Sequence, residues 1–304
     1  MNKVSKIPPR VAAIHDLSCL GRCALTVILP TLSVMGYQAV PIPTALLSTH
    51  TGGFTDLHFR DLTADMERIT AHFGALGTTF RAIYSGFLGS AEQIDSVTHL
   101  IERFGELPDE SGEKPLILID PVMGEDGELY STYTHELMLG MRRLAQHAQL
   151  LTPNLTEACF LTDTPYRATA DMREDEAIEF AKTLLVRLSE LTDARTVITG
   201  IHLQTGGVAN VGRDADGSVF LVRRPQEKVS YPGTGDLFAS VLLGATLRGE
   251  RLVEACEEAA DFVAEVIRAS AYNGVPTRYG VALESELWRL AKIPEQQKQQ
   301  KGRR

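Results

Sequence analysis

The nine residues Leu116-Ile-Leu-Ile-Asp-Pro-Val-Met-Gly124 contain the pattern that decides the fold. Four consecutive apolar side chains indicate a strand covered on both faces, as in parallel sheets. Pro121 cannot donate to the hydrogen-bond ladder, so the predicted strand covers 116–120 and leaves the carboxylate of Asp120 at its end. A buried acid is costly alone, so we expect a cation or metal beside it, with a loop-capping role as the alternative.

The same pattern, a short apolar run followed by a longer amphipathic stretch, repeats on both sides of this segment. It predicts an α/β fold with a mostly parallel sheet and helices on both faces, a three-layer αβα arrangement. The predicted strands cover 11–15, 38–41, 81–85, 116–120, 150–152 and 196–199. The predicted helices cover 23–35, 62–76, 91–104, 135–147 and 174–191. Ligands bind at the carboxyl ends of strands in such sheets, so we expect the functional residues there.

The pattern changes toward the C-terminal end. A turn at Asp214-Ala-Asp-Gly217 separates two apolar segments, 201–211 and 219–222, which predicts a small antiparallel hairpin. Two helices are then predicted over 237–248 and 252–271.

Composition limits the class of protein. The chain has 304 residues, of which 44% are hydrophobic and 23% are charged, as in globular rather than disordered proteins. No linker divides it, so we expect one domain over 11–290, an extension at 1–10 and a polar tail at 291–304. The net charge of −9 argues against a basic nucleic-acid surface but permits a phosphorylated ligand held by backbone amides.

Cysteine usage and the N-terminal residues bear on location. Four cysteines are too few for a disulfide framework, so a reducing compartment is expected. His15, Cys19 and Cys23 follow one another at four-residue spacing, but no fourth ligand for a zinc site is evident nearby. No export signal and no window approaching eighteen apolar residues is found. We therefore expect a cytoplasmic protein without membrane or nucleic-acid partners.

The segment Gly233-Thr-Gly-Asp236 stands directly before a predicted helix. Two glycines let the backbone turn its amides toward one point, and the helix dipole adds positive potential, so an anion site is predicted. A carboxylate beside such a site is useful if it takes a proton from an attacking hydroxyl, which suggests that role for Asp236. The alternative is a simple glycine-rich helix start with an acid in its first turn.

Asn154 and Glu157 follow another predicted strand in the segment Leu151-Thr-Pro-Asn-Leu-Thr-Glu157. They are three residues apart and share a helix face, where an amide and a carboxylate suit Mg²⁺ that keeps most of its waters and bridges phosphates. The alternative is a helix start capped by Asn154 with Glu157 in its first turn. Neither a P-loop nor a dinucleotide fingerprint is present, so a nucleotide would be held differently.

These three segments, in this order, resemble the ribokinase-like superfamily of small-molecule kinases. Further motifs are similar to the pyridoxal/pyridoxine/pyridoxamine kinase branch, and they are Ala13-Ile-His-Asp16, Pro43-Thr-Ala-Leu-Leu-Ser-Thr-His-Thr51, Tyr84-Ser-Gly-Phe-Leu-Gly-Ser90 and the DPVMG run at 120–124. The resemblance extends to about Tyr279. It implies ATP-dependent phosphorylation of the 5′-hydroxymethyl group of a B6 vitamer.

The resemblance also implies roles by position. Asp236 would be the catalytic base, and Gly233, Thr234 and Gly235 would form the anion hole for the transferred phosphoryl group. The vitamer pocket would be lined by Asp16, Ser48, Thr51, Tyr84 and Asp236. The ATP site would contain Asp120, Thr152, Asn154, Glu157 and Thr199, with Asp120 and Glu157 holding Mg²⁺ partly through water. A monovalent cation and a homodimer are further expectations.

Two departures from the resemblance bear on substrate choice. Asp16 stands where many relatives carry Ser, so it could pair with a protonated ring nitrogen or a phenolic hydroxyl. Thr199 and Gly200 stand where some relatives carry Lys. The hydroxymethylpyrimidine kinases of thiamine synthesis are the nearest alternative, and they usually have Cys at the position of Asp236. A vitamer-binding protein without catalysis is the alternative of a different class.

Overall fold

The structure is a computed structural model that describes residues 7–131 and 133–291. Most of the predicted extension at 1–10 and tail at 291–304 falls outside these residues, so that division of the chain stays a prediction. The strands are β1 (Arg10–Leu20), β2 (Gln38–Thr49), β3 (Phe59–Asp61), β4 (Ala82–Ser85), β5 (Leu116–Ile119), β6 (Gly124–Glu125), β7 (Glu128–Leu129), β8 (Leu150–Leu151), β9 (Arg195–Leu203), β10 (Gly207–Arg213) and β11 (Val219–Pro225). The helices are α1 (Leu25–Val34), α2 (Thr63–Ala75), α3 (Ala91–Phe104), α4 (His135–Ala145), α5 (Leu155–Leu161), α6 (Glu174–Leu191), α7 (Thr234–Leu247) and α8 (Leu252–Tyr272).

Nine of the strands form one sheet in the order β11-β10-β9-β8-β5-β4-β1-β2-β3. The six strands from β9 to β2 run parallel to one another. Antiparallel strands occupy both edges, β3 at one and β10 with β11 at the other. The chain leaves β1 toward β2 on one side and later reaches β4 on the other, which makes a topological switch point between β1 and β4. The predicted mostly parallel sheet is confirmed.

Helices cover both faces of the sheet, as predicted. Helices α2 to α6 pack on one face through side chains such as Ile94 and Met141, and α1, α7 and α8 pack on the other through side chains such as Ile28. Every residue of α7 from 237 to 246 is buried, so this helix is covered on all sides. Within the described residues, no helix is long and apolar enough to cross a membrane.

Two parallel strands are longer than the sequence predicted. β1 continues to Leu20 and β2 to Thr49, and these extensions pair with each other. The predicted strand ended at Pro41, whereas β2 contains prolines at 41 and 43. However, β3 pairs with β2 only at 45–47. Beside the two prolines, the outer edge of β2 has no neighbouring strand in the described structure, so no backbone amide has to donate a hydrogen bond there.

The predicted C-terminal hairpin is present between β10 and β11, with its turn at 214–217. Its first arm was predicted as one segment, 201–211, and this is wrong. The chain reverses once more, because Gly206 adopts φ +84° and donates its amide to the carbonyl of Leu203 at 2.9 Å. The hairpin therefore extends the main sheet through β9 instead of standing apart from it.

Candidate active site

The start of α7 is shaped by two glycines with different roles. Gly233 has φ +80°, and a Cβ atom there would lie 2.2 Å from the carbonyl oxygen of Arg22, so only glycine fits. Gly235 is exposed, and a Cβ atom there would meet nothing within 4 Å. The amide of Leu237 donates to the carbonyl of Gly233, so the three amides before it have no acceptor inside the helix. The positive end of α7 thus faces open space, as an anion site requires.

The carboxylate of Asp236 is held asymmetrically at this helix start. Its Oδ2 atom accepts the amide of Ala24 at 2.8 Å and the thiol of Cys23 at 3.6 Å. Its Oδ1 atom lies 3.9 Å from Nδ1 of His15. Burial, followed by the charge of Asp16, raises the pKa of Asp236 to about 6, against the lowering effect of the two donors. A carboxyl group with this pKa is ionised near neutral pH and still basic enough to accept a proton from a hydroxyl group.

Four acids, Asp16, Asp236, Asp120 and Glu157, interact electrostatically across the switch point; three are buried and Asp236 is half-buried. Burial and then Asp16 raise the pKa of Asp236, and burial and then Asp236 raise the pKa of Asp120 to about 8. Burial and then Asp120 raise the pKa of Glu157 well above its usual range. No Lys or Arg in the described parts of the chain forms an ion pair with any of the four.

Asn154 and Glu157 form the capping box that was the alternative interpretation of their spacing. The Asn154 side chain accepts the amide of Glu157 at 2.9 Å, and Glu157 Oε2 accepts the amide of Asn154 at 2.7 Å. Glu157 Oε1 accepts the amide of Met123 at 3.1 Å, which ties α5 to the segment after β5. The helix start accounts for both side chains, and their predicted contact with ATP stays a prediction.

The donor set fits Mg²⁺ held mainly by phosphates and water. Asp120 is buried with no cationic partner among residues 7–131 and 133–291, and each Glu157 oxygen has a lone pair left beyond its backbone bond. Hard carboxylate oxygens suit Mg²⁺, which keeps several of its waters. Residues 7–131 and 133–291 contain no cluster of three or more His, Cys, Asp or Glu side chains that could hold an ion directly.

The other residues predicted at the nucleotide lie just after β8 and in the middle of β9. Thr152 follows β8 and is buried, and Thr199 lies in β9, half-buried. A backbone bridge joins Asn154 to Thr199, and the amide of Thr199 donates to the carbonyl of Pro153 at 2.9 Å. The fold therefore brings these residues together, and their role toward ATP stays a prediction.

The residues predicted for the vitamer pocket differ in their burial. Asp16 is buried near Asp236 and accepts the hydroxyl of Ser18 at 2.8 Å. Tyr84 is fully buried, with its ring 4.3 Å from that of His15. Ser48 is exposed, and its hydroxyl accepts the amide of His58 at 2.9 Å, which closes the loop between β2 and β3.

Thr51 and its neighbour His50 lie in that same loop. Thr51 is exposed. His50 is buried; its Nε2 lies 2.7 Å from the carbonyl of Arg278, and its Nδ1 accepts the amide of Gly52. His50 is thus a hydrogen-bonded loop histidine. The roles of Ser48 and Thr51 toward a ligand stay predictions.

Two residues that contact Asp236 were not predicted as site residues. Cys23 lies 213 positions from Asp236 in the chain, and no local pattern marks that contact. His15 is fully buried, and neither ring nitrogen has a hydrogen-bond partner in the described structure. Burial lowers the pKa of His15 to about 3, so it is neutral beside the carboxylate. The small residue Gly86 leaves the space for this ring, since a Cβ atom there would lie 2.2 Å from it.

The sequence model of one family matches most of the chain. The model of the phosphomethylpyrimidine kinase family matches residues 28–279, including Asp120, Glu157 and Asp236. The chain belongs to this family. The predicted resemblance to the pyridoxal kinase branch of the ribokinase-like superfamily is confirmed, and so are the fold class and the predicted enzyme class, a kinase with an alcohol acceptor.

The names of proteins similar to this chain refer either to B6 vitamers or to phosphomethylpyrimidine and thiamine. A proposed phosphomethylpyrimidine kinase of Bacteroides thetaiotaomicron, in an orthorhombic crystal form with pyridoxal, is 37% identical, with coverage of 93% of this chain and 96% of that chain and a TM-score of 0.84. The pyridoxine/pyridoxal/pyridoxamine kinase of Bordetella avium is 28% identical over 84% of each chain. The thiamine biosynthesis multifunctional protein ThiED of Corynebacterium glutamicum is 29% identical over 90% of this chain, which spans 33% of that protein's length.

Proposed function

We propose that the protein transfers the γ-phosphoryl group of ATP to the 5′-hydroxymethyl group of a B6 vitamer. The observation that carries the proposal is the Asp236 carboxylate at the start of α7, beside three amides with no acceptor inside the helix. A general base next to an anion site is what phosphoryl transfer to an alcohol needs. The choice of a B6 vitamer is supported by the Bordetella avium relative and by the Bacteroides thetaiotaomicron structure with pyridoxal.

In the proposed reaction, Asp236 takes the proton of the substrate hydroxyl. The hydroxyl oxygen forms a bond to the γ-phosphorus as the bond between that phosphorus and the β–γ bridging oxygen breaks, and ADP leaves. The amides of Thr234, Gly235 and Asp236 face the charge on the transferred group. Asp120 and Glu157 would hold Mg²⁺, which supplies charge neutralisation at the phosphates.

The ring of the vitamer is proposed to lie on the other side of Asp236, toward Asp16. Asp16 is buried, and its described polar partner is the hydroxyl of Ser18. Burial raises the pKa of Asp16. A ligand group that donates a hydrogen bond or carries positive charge would satisfy this carboxylate. The homodimer, the cytoplasmic location and a monovalent cation stay predictions.

A second candidate substrate is hydroxymethylpyrimidine, as in thiamine synthesis. Two observations favour it: the description of the matched family and the similarity to the multifunctional thiamine protein. Both substrates present a hydroxymethyl group on a nitrogen heterocycle, so the same base and anion site serve either. Asp236 favours the vitamer, because the pyrimidine kinases usually carry Cys at this position.

The test is a substrate panel with product mass detection. Purified protein is incubated with Mg-ATP and, separately, pyridoxal, pyridoxine, pyridoxamine or hydroxymethylpyrimidine. We expect a phosphorylated product with one or more vitamers and a lower kcat/KM with the pyrimidine. Asp236→Asn should lower kcat by about 10²-fold or more, in the range of general-base catalysis. Asp95→Asn, the same chemical change on the exposed face of α3, is the matched control.

Each alternative gives a different result. Preferential turnover of hydroxymethylpyrimidine would replace the vitamer by the pyrimidine as substrate. Tight binding of pyridoxal without product or ATP consumption would indicate a vitamer-binding protein. Near-full activity of Asp236→Asn would refute the role of Asp236 as the base.

A further inference from the structure

The two oxygens of the Asp236 carboxylate have different surroundings. Oδ2 accepts two hydrogen bonds, from the Ala24 amide at 2.8 Å and the Cys23 thiol at 3.6 Å. Oδ1 faces His15 at 3.9 Å, which is too long for a hydrogen bond. The carboxylate is therefore anchored through one oxygen, and the other is available to a substrate hydroxyl.

The anchoring segment is itself held in an unusual conformation. Ala24 has φ +49° and ψ −128°, a backbone region that residues other than glycine rarely adopt. Thr26 fixes the backbone of Cys23, the residue before Ala24. The Thr26 hydroxyl accepts the amide of Cys23 and donates to the carbonyl of Cys23 at 2.8 Å. The carbonyl of Arg22 presses against Gly233 at the start of α7. Strain of this kind persists where the surrounding contacts over-determine the backbone, and it points to a function.

We propose that Cys23 is a positioning residue that acts through Asp236, the base of the proposed function on which this inference rests. Its thiol and the Ala24 amide hold Oδ2 so that Oδ1 receives the proton of the substrate hydroxyl. The thiol can only donate here, because burial, followed by the charges of Asp236 and Asp16, raises its pKa well above the usual range. A protonated thiol beside the base stabilises the ionised carboxylate without competing for the proton.

The remaining groups around Asp236 do not provide this stabilisation. On β1, Asp16 opposes ionisation of Asp236, and His15 is neutral. At the end of β5, Asp120 is a further acid whose charge interacts with Asp236. Tyr84 on β4 has a pKa raised by burial, so it too is neutral. Apart from the helix dipole at the start of α7, the donors at Oδ2 are thus the described groups that favour the ionised base.

The experiment compares Cys23→Ala, Cys23→Ser and wild type by the pH dependence of kcat/KM with the best substrate of the panel. Loss of the donor in Cys23→Ala should move the acid limb to higher pH and lower activity at pH 6 by about threefold, with the activity at pH 8 retained. Cys23→Ser keeps a donor at the γ position of the side chain and should restore the wild-type profile. Cys19→Ala, an exposed cysteine four residues earlier, is the matched control.

A profile of Cys23→Ala that coincides with wild type would overturn the inference. An equal loss of activity at every pH, without rescue by Cys23→Ser, would also overturn it, because a structural defect would act in that way. A measurement without turnover separates the inference from the proposed function. The infrared S–H stretch of Cys23, identified by its loss in Cys23→Ala, should shift in Asp236→Asn. An unmoved band refutes the contact, whereas a shifted band with an inactive wild type refutes only the kinase proposal.

Discussion

The two glycines before Asp236 should respond in opposite ways to the same substitution. Gly233→Ala places a methyl group 2.2 Å from the Arg22 carbonyl oxygen, on a backbone with φ +80°. The left-handed conformation alone costs a residue with a side chain about 1–2 kcal/mol. Relief of the clash must then move the 22–24 segment, so we expect the free energy of unfolding to fall by at least about 2 kcal/mol. At about 2.1 cal/mol/K of unfolding entropy per residue, this corresponds over 304 residues to a decrease in melting temperature of roughly 3 °C.

Gly235→Ala is the matched variant, because it makes the same change two residues later in open space. Alanine is favoured over glycine in helices by about 1 kcal/mol, so stability should be unchanged or higher. The added methyl group enters the space in front of the helix-start amides, and we expect kcat to fall although the protein is at least as stable.

Thermal unfolding by circular dichroism and kinase assays on both variants check these expectations. A Gly233→Ala protein that melts at the wild-type temperature would refute the close approach of Arg22. A Gly235→Ala protein with wild-type kcat would refute the anion site at the start of α7.

Three further outcomes follow from the site. First, the kcat/KM of wild type should rise about tenfold per pH unit below about 6 and then level, because Asp236 must be ionised to act as a base; a flat profile from pH 5 to 7 would contradict this. Second, the melting temperature of the protein without ligands should fall as pH rises from about 4 to 8. Asp120 keeps its proton to about pH 8 in the folded protein but releases it near 3.8 in the unfolded chain. The free energy of unfolding therefore falls by up to about 1.4 kcal/mol per pH unit between these values, and Asp120→Asn should flatten this slope. Third, Ala24→Gly should raise the free energy of unfolding in urea by about 1 kcal/mol by releasing backbone strain, and a destabilised variant would contradict this.

Local sequence patterns predicted most of the fold, because the spacing of apolar residues differs between helices and strands and can be read within each segment. Helices α3 and α6 begin and end at the predicted residues, and α3 is capped by Ser90, whose hydroxyl accepts the amide of Gln93. The extensions of β1 and β2 could not be predicted in this way. They are strands because they pair with each other, and the prolines of β2 are tolerated on an edge that only the assembled sheet defines.

The site, like the fold, could be predicted from the sequence only in part. Asp120, Asn154 and Asp236 could be expected near one another, because carboxyl ends of parallel strands and the helix starts after them meet at one edge of a sheet. The contact of Cys23 with Asp236 is different, since it joins residues 213 positions apart through a strained turn. The neutral state of His15 is equally a product of burial, which no local spacing reveals.

The segment that holds the Asp236 carboxylate is itself held by the far end of the chain. The amide of Arg22 donates to the carbonyl of Tyr279 at 2.9 Å, and the Arg22 backbone lies so close to Gly280 that a Cβ atom there would be 2.6 Å from its carbonyl oxygen. During synthesis on the ribosome, Asp236 emerges more than forty residues before these contacts can form. The nascent chain therefore contains every acid of the site before it contains the residues that hold the 22–24 segment against Asp236.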